Sequence, residues 1–283
     1  MGIGHSAQSQ RSSQATPHTR NRWGQCLRII IMKIIIVALL VYAPFVLVAQ
    51  EGESTNKGVI VGVSYSPDYC YRDLKGDGTD VINSNIARSN SVESAKYGFT
   101  TGLSARFSLT KNLQLETGLY FADKGERLVI DLSTLTFGDM IDPRYGFVYE
   151  TSEVPGTVIA NNKYMYAELP LKLNYIILDK KMRLAISGGT SLNTMVGYNQ
   201  KSTHKYEDGS KSVSSNSFST ANFTRFHIGV IGGLSLEIPL SEKLALRLEP
   251  TYRRSITAIN NDRIREYLYS AGMNLGVTYK LGG

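Results

Sequence analysis

The sequence of 283 residues predicts an all-β fold: an eight-stranded antiparallel up-and-down transmembrane β-barrel with short periplasmic turns and long extracellular loops. Three observations predict it. Apolar residues recur at every second position, the period of a strand, and no apolar stripe of period 3.6 has useful length. Short and long connections alternate strictly along the chain. The face opposite the apolar one mixes charges with glycines, whereas a solvated strand face carries long polar side chains.

Eight segments show the two-residue period. The first, 58–66, sets Val59, Val61, Val63 and Tyr65 on one face, and the second, 96–109, sets Tyr97, Phe99, Leu103, Ala105, Phe107 and Leu109. The third, 113–123, carries Leu113, Leu115, Leu119 and Phe121, and the fourth, 164–178, runs from Met165 through Leu169, Leu171 and Leu173 to Ile177. In the fifth, 182–197, the apolar set moves to even positions: Met182, Leu184, Ile186, Leu192 and Val196. The sixth, 223–240, holds Phe226, Ile228, Val230, Leu234 and Leu236, and the seventh, 244–254, holds Leu244, Leu246, Leu248 and Tyr252. The last, YLYSAGMNLGVTYKL at 267–281, alternates without a break.

Three connections are tight: TKN at 110–112, DKK at 179–181 and SEK at 241–243. The other four, at about 67–95, 124–163, 198–222 and 256–266, are long and polar. Tight turns join antiparallel neighbours, so all three lie at one end of the structure. Facing residues of an antiparallel pair share a side of the sheet, which sets Leu109 against Leu113 and Leu240 against Leu244. The switch of parity at DKK requires a two- or four-residue loop there, or a bulge. Loop 124–163 contains RLVIDL and YGFVYE, which either extend the flanking strands or add a hairpin and raise the count to ten.

The minority face decides which side is inside. It carries Arg106, Glu116, Glu168, Lys172, Arg183, His227, Glu237, Arg247, Glu249 and Arg253, interleaved with Gly98, Gly102, Gly118, Gly189, Gly229, Gly233, Gly272 and Gly276. Small residues and charges of both signs suit a crowded interior, where buried charges must be paired. The bulky uniform face then looks outward into lipid, and the aromatics near segment ends form girdles. An open edge in hydrocarbon costs several kcal/mol per unsatisfied backbone group, so the sheet must close.

Residues 32–49, a lysine followed by a short apolar run ending at Ala49, read as a secretory signal peptide, with 50–283 as the barrel domain. Residues 1–31 resemble no folded element, and translation is expected to start at Met32. The net charge of +7 belongs largely to residues 1–49, which hold five basic residues and no acidic one, leaving 26 basic against 24 acidic residues. No basic stripe points to nucleic acid. Of the two cysteines, Cys26 lies in the leader and Cys70 in an expected loop.

With these elements in place, KNLQLETGLYFADKG (111–125), YAELPLKLNY (166–175), GGTSLN (188–193) and the YKL ending (279–281) resemble the PorT-like outer-membrane β-barrel proteins of Bacteroidetes-type bacteria, small barrels of the OmpA/OmpX kind. The resemblance covers about residues 55–281 and implies a fold and a cell outer-membrane location, not a reaction. Gly282 and Gly283 depart from the terminal aromatic usual in such barrels. The partners expected are outer-membrane lipid, the barrel-assembly machinery during insertion, and an unidentified surface or periplasmic protein.

An eight-stranded barrel is just wide enough for its side chains to fill it. The ten charged and histidine residues are therefore expected to form a structural network in the lumen, joined by Lys280 near the end of the last strand. No catalytic, cofactor or metal site is expected. His227 and Glu237 lie ten residues apart on one strand, about 33 Å by rise. His204, in KSTHKYEDGSK, reads as a solvated loop residue. DLKGDGTD (73–80) has the look of a calcium loop, but Ser84 stands at the twelfth place where a bidentate Glu is needed. The function expected is non-enzymatic: a plugged barrel with loops for binding, adhesion or envelope architecture. The alternatives are a narrow porin-like channel, a lipid-modifying enzyme and a soluble periplasmic lipocalin-like binder.

Overall fold

The computed structural model describes residues 58–133, 155–206, 208–217 and 223–281. The leader and signal-peptide readings, YGFVYE and the terminal glycines lie outside these residues. The elements are β1 (Val59–Lys75), α1 (Asp80–Val92), β2 (Glu93–Ser108), β3 (Leu113–Lys124), β4 (Glu126–Asp131), β5 (Thr157–Asp179), β6 (Arg183–Lys205), β7 (Lys211–Ser217), β8 (Phe226–Pro239), β9 (Leu244–Ser255) and β10 (Arg265–Leu281).

Eight of the ten strands close a ring in the order β1, β2, β3, β5, β6, β8, β9, β10, with every pairing antiparallel. Closure is made by β10 returning to β1, from Val59 opposite Leu281 to Lys75 opposite Arg265. The two further strands extend the wall. β4 continues β3 after a break at Gly125 and pairs with the same neighbours, β2 and β5. Gly125 has φ 144°, a conformation that side-chain-bearing residues rarely adopt, so the break falls where the sequence offers glycine. β7 pairs only with the outer part of β6, Asn199–Lys205.

The tight turns close as parity requires. The amide of Leu109 donates to the Leu113 carbonyl at 2.9 Å, and that of Leu240 to the Leu244 carbonyl at 2.8 Å. At the third turn the register breaks between Ile176 and Leu178. This bulge moves the apolar set from odd to even positions. A second break, between Met165 and Tyr166, lies farther up the same pair.

The long connections hold more structure than expected. The segment 67–95 is not a loop: β1 runs on to Lys75, α1 follows, and β2 starts at Glu93. The helix escaped the periodicity because it is almost wholly polar, burying only Ile82. Cys70 is correspondingly in a strand, fully buried, rather than in a loop. RLVIDL falls in β4 and the residue after it. His204 lies in β6, opposite Val158 and Ser212, and not in a solvated loop. Where the strands run on, polar residues interrupt the apolar alternation that marks the segments before them.

The two faces separate cleanly. Val63, Leu103, Leu119, Leu171, Ile186, Leu234 and Met273 are exposed on the outside, and the charged residues point inward. Outward aromatics of neighbouring strands touch: Tyr65 stacks on Phe99 at 5.9 Å, and Phe99 meets Phe121 at 6.1 Å. The buried apolar cluster is small. Ala122, Tyr164, Tyr166, Met195, Ile259 and Leu268 gather toward the long-connection end, with Tyr198 and Phe223 packed against them.

Interior glycines allow the wall to crowd. A Cβ on the inward Gly189 would run into the backbone of Leu171 and Lys172, whereas one on Gly232, on the outward face of β8, would meet nothing within 4 Å. Gly189→Ala is therefore expected to lower stability by roughly 1–3 kcal/mol, and Gly232→Ala to leave it nearly unchanged, in urea unfolding of the vesicle-inserted barrel. Equal effects at the two positions would contradict the crowding of this interior.

Candidate functional site: the charged lumen

Inward-facing positions fill the ring with ion pairs arranged in tiers. At the tight-turn end Arg106 is paired with Glu237. Arg183, about a third exposed at the rim, reaches Glu237 at 3.6 Å and Asp179 at 3.0 Å. Lys280 is half-buried near this mouth.

The middle tier is organised by two carboxylates. Glu116 lies 2.7 Å from Arg247, 2.9 Å from Lys172 and 4.0 Å from Arg106, and accepts from the Asn174 amide at 3.1 Å. Glu249 lies 3.1 Å from Arg247 and 3.3 Å from Lys172, and accepts from the Ser187 hydroxyl at 2.6 Å. Five strands meet here, because Glu116 is on β3, Lys172 on β5, Ser187 on β6, Arg247 and Glu249 on β9, and Asn274, which also reaches Glu249, on β10. These contacts tie opposite walls together across the ring.

Above this tier Arg253 lies 3.1 Å from Asp68, which also accepts from Ser66 and Thr100. Lys96 meets Asp123 and Lys124 meets Glu168, each at 2.5 Å. His227 stands apart from the ion pairs: its ring packs edge-to-face on Tyr166 at 4.7 Å, and its Nδ1 has no partner. It is brought to neither Glu237 nor Glu249. A void lined by Thr100, Glu168, Lys172, Arg253 and Asn274 holds about 10 Å³, room for about one water molecule.

The uppermost tier is acidic. Arg72 faces Glu93 at 2.5 Å, Glu266 at 3.0 Å and Glu126 at 3.5 Å. Glu126 is fully buried on β4, five residues beyond the outward Phe121. Its Oε1 accepts from Asn162 at 2.7 Å and Tyr164 at 3.2 Å, while Oε2 has no partner. Burial lifts this carboxyl from the ordinary 4.5 to about 7, against the pull of Arg72 and the Asn162 hydrogen bond.

Sequence reasoning identified the lower and middle tiers and missed Asp68, Lys96, Asp123, Lys124 and the Arg72 cluster. Parity was the available signal: each of these residues except Glu93 and Asp123 shares the even positions of the inward residues on its strand. The expected strand ends had stopped short of most of them. The loop 73–80 gathers no ligand set. Asp73 lies 2.7 Å from Arg254, and Asp77 accepts from Thr79. Among the described residues no three His, Cys, Asp or Glu side chains come together as a metal site.

A closed ring of antiparallel strands, oily outside and ionic within, defines a barrel of the outer-membrane class. The chain belongs to the outer membrane protein β-barrel domain family, whose model matches residues 49–261, and its place is the outer membrane. Similar solved structures include neisserial surface protein A, 11% identical, with 79% of this chain and 97% of that one covered at a TM-score of 0.42. OprG of Pseudomonas aeruginosa is 12% identical, with 82% and 99% covered at 0.40, and a major outer membrane protein of Thermus thermophilus is 13% identical, with 79% and 99% covered at 0.38. No curated protein matches the chain.

Removing one partner of a buried pair strands the other charge. Glu116→Gln is expected to cost about 3–5 kcal/mol, read as a lower temperature for the folded-to-unfolded gel shift, while the exposed Glu242→Gln changes little. For Glu126 the folded pKa lies above the unfolded one, so the fold binds the extra proton. Its contribution is full below pH 4.5 and falls as the pH rises to about 7, by up to about 3 kcal/mol. Glu126→Gln is expected to flatten that part of the stability profile and to exceed the native protein at pH 8.

Proposed function

We propose that this protein is a non-enzymatic outer-membrane barrel of the PorT-like kind, plugged by its own side chains, with its long-connection end outside the cell. Residues 32–49 serve as its signal peptide, and the barrel-assembly machinery inserts it. The observation that carries the reading is the middle tier, where Glu116 and Glu249 are bridged by Lys172 and Arg247 across the lumen. A path for ions or solutes would have to break these buried contacts.

The membrane placement is supported by spacing. Tyr97 and Phe107 on β2, and Tyr269 and Tyr279 on β10, are ten residues apart. At a rise of about 3.3 Å per residue and a tilt near 45°, that spans roughly 23 Å, close to the apolar band of such barrels. Outside this band, β4, β7, α1 and the upper parts of β5 and β6 form a polar wall. That wall suits contact with a surface protein or envelope component. His227, the histidine an enzyme reading would use, sits against the Tyr166 ring.

Planar-bilayer recording tests the plug. The purified barrel is expected to give no steady conductance, and Lys172→Ala/Arg247→Ala to introduce leak events. Large steady conductance of the native protein would replace this reading with a channel.

A further inference from the structure

At the upper rim of β8 a cavity of about 500 Å³ crosses the boundary between the apolar belt and the polar wall. Its floor is Leu192, Phe226 and Ile228, all outward-facing and exposed. Its roof is the connection from β9 to β10, contributing Thr257 and Asn261, with Arg265 at the start of β10. We propose that this cavity binds a lipid of the surrounding leaflet whose headgroup ends in a phosphate monoester, with an acyl chain along the floor and the phosphate under the roof. The proposal rests on the outward belt being the membrane face.

The roof is held in place from below. The Asn260 side chain is nearly fully buried and donates to the Ile264 carbonyl at 2.9 Å, while accepting from the Glu266 amide at 3.0 Å. The Ile256 amide donates to the Ile228 carbonyl at 2.9 Å, and Thr224 to the Ile259 carbonyl at 2.7 Å. Thr257 accepts from the Ile228 amide at 2.9 Å through its hydroxyl oxygen, which leaves the hydroxyl proton free to donate. A ligand therefore meets a roof already ordered, so little freedom is lost on binding.

Charge names the headgroup. Arg265 lines the cavity, and Arg225 lies between two lining residues, Thr224 and Phe226. Both are exposed, and neither meets a carboxylate among the described residues. Arg254 nearby is held by Asp73, and Arg72 by its three glutamates, so these other arginines of the rim are already neutralised. Lys75 stands opposite Arg265 in the β1–β10 register and adds to the positive field. A guanidinium fork matches phosphate oxygens in a way a choline or amine headgroup cannot reciprocate. The floor argues for a lipid over free phosphate, because it is part of the outward belt, so that acyl chains lying on it carry their headgroups to the roof.

The barrel domain, residues 50–283, holds no tryptophan, so Phe226→Trp places one fluorescent reporter on the floor. In phosphatidylcholine vesicles, brominated phosphatidic acid is expected to quench this reporter roughly tenfold more effectively per molecule than brominated phosphatidylcholine. The preference should vanish in Arg225→Gln/Arg265→Gln. A reporter at Leu103, on the outer face of β2, should be quenched equally by both lipids. Equal quenching at position 226, or a preference that survives loss of both arginines, overturns the site while leaving the membrane reading intact. A preference removed by millimolar inorganic phosphate overturns the lipid in favour of the free ion. No quenching at either reporter by either lipid overturns the membrane reading itself, and the site with it.

Discussion

Closure of the sheet is the constraint on which the rest depends. In hydrocarbon no water is available to an unpaired amide or carbonyl, so a wall of strands is tolerated only when its last strand finds its first. Here β10 meets β1 along nearly its whole length. That pairing joins the two ends of the barrel sequence, from Val59 with Leu281 to Lys75 with Arg265. Once it forms, each strand has one face outside and one inside, and the alternating sequence has a single consistent assignment.

The inside face then has a problem of its own. Eight strands enclose too little room for bulk water, so every charge placed there must find its counterpart among its neighbours. Glu116 and Glu249 solve it by sharing Lys172 and Arg247, so that each of these cations meets both carboxylates, and Arg106 adds a third cation to Glu116. Such a mesh gives rigidity as much as stability, because no member can leave without stranding another. Interior glycines serve the same end by leaving room for the backbone and side chains of the neighbouring strands where a Cβ would intrude.

Toward the long-connection end the character changes. A cluster of aromatic and aliphatic residues around Tyr164 and Tyr166 replaces the ion pairs, and above it one arginine faces three glutamates. The balance of charge is lost there, and the proton held by Glu126 makes up part of the difference. The upper wall is thus held in part by a carboxyl that responds to pH, while the middle tier is held by ion pairs that share their partners.

Much of this was legible in the residues themselves. Alternation alone separates Leu103, Leu171 and Met273 from Arg106, Lys172 and Asn274, and the odd-to-even switch at DKK announces the bulge at Ile177, because side-chain direction in a strand is set by position parity. The outer extensions and α1 were harder to read. α1 is almost wholly polar, and in the extensions polar residues interrupt the apolar alternation, so that only parity marked the Arg72 cluster until neighbours supplied hydrogen bonds. Which cation answers which carboxylate was likewise decided only by the closed ring, for Arg247 and Glu116 are 131 positions apart and meet because curvature turns their two walls toward one another. Parity is a local property of the backbone and can be read from one strand. Pairing across a lumen is a property of the circumference and exists only once the barrel has closed.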